Sequence, residues 1–162
     1  MKKQKQINFH FAFVGCSKYA FGNATTGNGD RIFWYTSSNG SHSLSFDVYL
    51  DGAVDSLAMS LSDGNTAYVV TLSATSDDVV LHKEAEVLTH LVSSGFPIRK
   101  GLTSLWIRRT GNVYNVSKAD TRPFLSWTDT DPINVQFVEF QNHGGTGYAR
   151  QCPRDSKFPL FR

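Results

Sequence analysis

Apolar and polar residues alternate along most of this chain, and the period is two. Leu44, Phe46, Val48 and Leu50 are separated by Ser45, Asp47 and Tyr49, the pattern of a strand with one face against a core. Leu57-Ala58-Met59-Ser60-Leu61 repeats it, followed by Ser62-Asp63-Gly64-Asn65, where Asp-Gly between alternating runs signals a hairpin turn. Further strands are predicted over Ala67 to Leu72, Val79 to His82, Leu102 to Arg108, Asn112 to Val116 and Ile133 to Phe140. Arg31 to Thr36 reads as a short aromatic strand, and Thr110-Gly111-Asn112 as a tight turn. Near the start, Ile7, Phe9, Phe11 and Phe13 alternate with Asn8, His10 and Ala12 and read as a strand. Lys2, Lys3 and Lys5 before them also fit the n-region of a signal peptide.

Glu84 to Ser94 is the ambiguous stretch. Val87, Leu88, Leu91 and Val92 fit a helix face, but the β-branched content and the neighbouring strands favour an extended segment. Residues Gly22 to Asp30 are too polar and Gly-rich to read as anything but loop, and Asn142 to Tyr148 reads as a flexible connection or, alternatively, as the polar lining of a ligand cleft. Roughly ten strands without alternating helices predict an all-β fold, an antiparallel β-sandwich of jelly-roll type. At 162 residues the chain fits one domain spanning 1–162.

Composition narrows the function classes. A net charge of +2 from 16 basic and 14 acidic residues leaves no basic stripe for nucleic acid. No apolar run approaches the length of about 18 residues that a membrane helix needs. Rossmann, Walker, His-Glu-x-x-His and Gly-x-Ser-x-Gly motifs are lacking, so no catalytic residue, metal site or nucleotide cofactor is predicted. Cys16 and Cys152 read either as two free thiols or as a disulfide closing nearly the whole chain. Sequons begin at Asn23, Asn39 and Asn115, and they favour a secreted, glycosylated protein.

Candidate chemistry lies in loops and aromatics. A flat ring stacks on the apolar face of a sugar while amides and carboxylates bond its hydroxyls, which brings forward Trp34, Trp106, Trp127 and Tyr148. Trp106, between Leu105 and Ile107, reads as core, and Trp127, beside a turn, reads as the better surface candidate. Asp129 and Asp131 are either turn residues or hard oxygen ligands for calcium. The expected ligand contacts are therefore Trp127, Asp129, Asp131, His143 and Tyr148.

Several segments resemble a known family. Leu102-Thr103-Ser104-Leu105-Trp106-Ile107 with Gly111-Asn112-Val113-Tyr114-Asn115-Val116 is similar to an "F-W-I…G-x-I-x-V" hairpin. Arg122-Pro123-Phe124-Leu125-Ser126-Trp127-Thr128-Asp129 is similar to "P-F-L-x-W-x-D", and Pro132 to Phe140 to "P-x-x-V-x-Y-V-G-F". Phe46 to Ser62 and Tyr68 to Leu72 resemble its opening strands. These are the motifs of the farnesoic acid O-methyltransferase-like domain of animal proteins, matched over about residues 31–150. Glu139 stands where that pattern has Gly, and its Gly-Gly-Trp element is missing. The resemblance implies an extracellular recognition sandwich, and its name implies methyl transfer from S-adenosylmethionine to farnesoic acid. The strand pattern offers no strand-to-helix crevice for that cofactor. The leading expectation is a non-enzymatic module binding a glycan or an extracellular protein through the loops of the sandwich. The alternatives are the methyltransferase, and a structural domain that oligomerises through its aromatic N-terminal strand.

Overall fold

The computed structural model describes residues 16–23, 29–34, 41–51, 55–73, 75–91, 101–118 and 121–151. Strands appear wherever the alternation was clean: β4 (Ser41–Asp51), β5 (Ser56–Ser62), β6 (Ala67–Ser73), β7 (Val79–Lys83), β9 (Gly101–Thr110) and β10 (Val113–Lys118). The ambiguous stretch is strand β8 (Glu86–Leu91). Short pieces at the start are β1 (Ser17–Ala20), β2 (Gly22–Asn23) and β3 (Ile32–Phe33). The chain finishes with β11 (Pro123–Thr128), β12 (Phe137–His143) and β13 (Thr146–Gln151). No helix occurs among the described residues. The expected strand over Ile7 to Phe13, the sequon at Asn39 and Cys152 lie outside them.

Two sheets face each other. One is six-stranded, ordered β1-β13-β4-β9-β10-β11, and the other seven-stranded, ordered β2-β12-β5-β6-β7-β8 with β3 also pairing β12. Pairing is antiparallel apart from β2 with β12. The chain thus runs a meander β5 to β8 in one layer and a meander β9 to β11 in the other, and it passes between the layers from β4 to β5, β8 to β9, β11 to β12 and β12 to β13. This is the antiparallel jelly-roll sandwich that the alternation implies.

The core between the layers is the inward half of each alternation. Leu44, Phe46, Val48 and Leu50 of β4 meet Leu57, Met59 and Leu61 of β5 and Tyr68, Val70 and Leu72 of β6. One end of the sandwich is closed by aromatic rings from both layers. Tyr114 of β10 stacks on Trp127 of β11 at 4.9 Å, and Tyr68 of β6 meets the Trp127 ring edge-on at 5.4 Å.

Two departures from expectation have local causes. Of the strand expected over Ile133 to Phe140, only the second half pairs; Ile133 and Val135 instead bury themselves over the aromatic end without a strand partner. Conversely, the Gly-rich run expected to be a loose connection contains β13. Its turn residues Gly144 (φ 70°) and Gly145 (φ 61°) take the left-handed conformation that swings the chain from one sheet to the other. Gly147 then lies so close to β4 that a Cβ there would meet the Tyr49 carbonyl oxygen and come within 2.7 Å of the Phe21 ring. Gly147→Ala is therefore expected to lower stability by about 1–3 kcal/mol, read as a lower midpoint in thermal melts. An unchanged midpoint would show that β13 can shift outward without cost.

Candidate functional site

Because Leu105 and Ile107 of β9 point into the core, Trp106 between them must point out. It does so, half-buried, on the outer face of the six-stranded sheet, away from the core between the layers, which corrects the expectation that Trp106 is core. The strand register builds the surroundings. Trp106 is flanked by Ser45 of β4 and Ser117 of β10, and Arg108 by Ser43 and Asn115. The Arg108 guanidinium lies 4.9 Å from the Trp106 ring centre, a cation–π contact.

Along the same face towards β13, Asp47 forms the middle of a bonded triad. Ser104 Oγ donates to Asp47 Oδ1 at 2.6 Å, and Arg150 Nη2 donates to Asp47 Oδ2 at 3.0 Å. Beyond the triad, Tyr49 and Tyr148 stack at 5.1 Å, and Lys18 Nζ sits 4.2 Å from the Tyr148 ring centre. Leu102, paired with Tyr49, is 55% exposed. The face therefore offers two aromatic patches with fixed charged and hydroxyl groups between them. Asn115, which opens the third sequon, stands on it beside Arg108 and Ser126.

The residues that the sequence singled out divide into three places. Tyr148 belongs to this face. Trp127 is only 6% exposed, locked between Tyr68 and Tyr114, so its ring is not a surface platform; Trp34 is also in the core. His143 is exposed at the end of β12, where its carbonyl accepts the Asp55 N–H at 2.8 Å.

Asp129 and Asp131 form a clip between the layers. Asp129 Oδ2 accepts from Tyr68 Oη at 2.6 Å and from Lys83 Nζ at 2.7 Å, while Oδ1 accepts the Asp131 N–H at 2.9 Å. Lys83 also donates to the Asp131 carbonyl at 2.7 Å. A cation at this carboxylate would have to displace the Lys83 ammonium, so the bonds serve packing. Burial alone would raise the Asp129 pKa, but the bonds from Lys83, Tyr68 and the Asp131 amide outweigh it and hold the carboxyl at about 2. The same bond raises Lys83, and burial followed by the Asp129 bond raises Tyr68. No group of three or more His, Cys, Asp or Glu residues placed to hold a metal ion occurs among the described residues.

Sequence reasoning assigned Trp106 to the core and passed over Arg108, Asp47 and Arg150. The signal for Trp106 was present: a Trp out of phase with Leu105 and Ile107 cannot share their face. The Asp47–Arg150 pair carried no signal, since 103 residues separate its members.

No protein-family model matches the chain, and no curated protein sequence matches it. Solved structures do share the fold. The galectin LEC-6 of Caenorhabditis elegans superposes with a TM-score of 0.55 at 13% identity, covering 75% of this chain and 94% of that one. Chicken galectin 2 gives 0.56 at 11% identity, with 72% and 91% covered. The carbohydrate-binding module CBM66 from Bacillus subtilis gives 0.51 at 17% identity, with 81% and 96% covered.

Proposed function

We propose that this chain is a non-enzymatic glycan-binding module, and that sugars lie on the open face of its six-stranded sheet. The observation that carries the reading is Trp106, an indole half-buried on the outer side of the six-stranded sheet, ringed by the polar side chains that its strand neighbours bring beside it and with the Arg108 guanidinium 4.9 Å from its ring centre. A sugar ring presents an apolar face to such an indole, and the neighbouring Ser45, Ser104, Ser117, Asp47, Arg108 and Arg150 supply donors and acceptors for its hydroxyls. Holding Asp47 between Ser104 and Arg150 beforehand reduces the ordering cost of binding. That the structural neighbours include galectins and a carbohydrate-binding module supports the same class.

The reading includes an extracellular setting. It also includes a Cys16–Cys152 disulfide: Ser17 pairs with Gln151 in the β1–β13 register, and each cysteine is the sequence neighbour of one member of that pair. An N-glycan on Asn115 would cover the binding face, so the binding-competent form carries Asn115 bare. The likeness of residues 31–150 to the farnesoic acid O-methyltransferase-like domain is retained as a proposal of kinship, without the methyl transfer that the name suggests.

A glycan array tests the function. Wild-type protein is expected to bind a defined subset of glycans, and Trp106→Ala to weaken those hits by about 30-fold or more, as removal of a central aromatic anchor does. Trp106 is half-buried and lies outside the core cluster, so the variant should lose less stability than Trp127→Ala, and a thermal melt checks that it is folded. A blank array with folded protein, or hits untouched by Trp106→Ala, would sink the proposal.

A further inference from the structure

We infer that the occupant of this face is a linear oligosaccharide of three or more sugar residues, lying along the strands from Trp106 to the Tyr49–Tyr148 pair. This rests on the glycan-binding reading above and adds the size and direction of the ligand.

The register supplies the length. Trp106 is paired with Ser45, and Tyr49 lies four residues further along the same β4 strand, paired with Leu102. At a rise of roughly 3.3 Å per residue, the two aromatic patches are about 13 Å apart along the strands, with Tyr148 one more strand spacing of about 5 Å across. A single sugar ring on Trp106 reaches neither tyrosine, and a disaccharide laid flat ends over the Asp47 triad.

The chemistry between the patches fits a chain of sugars better than a single ring with an apolar tail. Asp47, Ser104 and Arg150 occupy the middle of the path, bonded to one another and partly exposed, where the hydroxyls of an inner sugar would lie. At the far end polarity falls again. Tyr49 and Tyr148 are stacked, Lys18 braces the Tyr148 ring, and Leu102 stands open beside them. An apolar patch on an otherwise polar sheet face marks a contact surface, and here it is in line with the first one.

The test is a size-graded affinity series. Ladders of β-linked glucose, galactose, mannose, xylose and N-acetylglucosamine, from one residue to six, are titrated by calorimetry against the full chain. For the ladder that binds, affinity is expected to rise about tenfold or more between the disaccharide and the tetrasaccharide. In Tyr148→Ser this gain disappears, whereas Tyr148→Phe, which keeps the ring, retains it. Thermal melts confirm that both variants are folded. Equal affinity for disaccharide and tetrasaccharide, or a gain that survives Tyr148→Ser, overturns the inference while leaving glycan binding intact. Silence of every ladder beside array hits overturns the inference alone, and silence of every ladder with a blank array removes the glycan-binding proposal as well.

Discussion

Trp127→Ala is expected to lower stability by about 3–5 kcal/mol, the largest effect of any substitution considered. The ring lies flat on Tyr114 at 4.9 Å and edge-on to Tyr68 at 5.4 Å, so its removal empties the contact that closes one end of the sandwich. Neighbours from two different layers cannot both collapse into the space, and the cavity persists. For a chain of this size the midpoint of thermal unfolding should fall by on the order of 10 °C. Trp127→Phe should cost much less, because the indole N–H has no hydrogen-bond partner among the described residues and a ring remains to fill the site. A small shift in Trp127→Ala would show that the aromatic end is not tightly packed. Loss of glycan binding by folded Trp127→Phe would move the site from the open face to the sandwich end.

Asp129→Asn should destabilise by about 2 kcal/mol at neutral pH, and the loss should vanish in acid. The carboxyl titrates at about 2 in the folded chain against an ordinary 3.8, which corresponds to about 2 kcal/mol of preference for the charged form. Because the folded value is the lower one, this stability is present above roughly pH 4 and is lost as pH falls towards 2. Asn would keep an oxygen able to accept from Tyr68 or Lys83 but not the charge that strengthens both bonds. Denaturant unfolding of wild type and variant between pH 7 and pH 2 checks this; comparing the two cancels the other carboxylates. A gap between them that does not change with pH would mean that the clip is held by shape alone.

The legibility of this chain follows from how closely its strands approach one another. Strands β4, β5 and β6 bury large aliphatic residues at every second position, and their pattern was plain. Strand β13 was hidden because its inward positions are Gly147 and Ala149; β4 and Phe21 leave no room for larger groups, so no alternation of large residues survives. Strand β8 was ambiguous because, at the edge of its sheet, none of its residues is fully buried. The motif Pro123 to Trp127 was noticed for its resemblance to a family and not as the strand β11 that it forms.

By itself, the order of apolar and polar residues determined the layered all-β architecture, since a period of two obliges each strand to bury one face and expose the other. It also determined that Trp106 opposes Leu105 and Ile107, although adjacency to two core residues hid that consequence. Only the tertiary structure decided that Trp127 and Trp34 are buried, that Asp129 clips the layers together, and that Asp47, Arg150, Tyr49 and Tyr148 share one surface. The physical reason is that a sheet face is assembled across strands: its neighbours are set by register between segments that can lie more than a hundred residues apart, and no local pattern records that register.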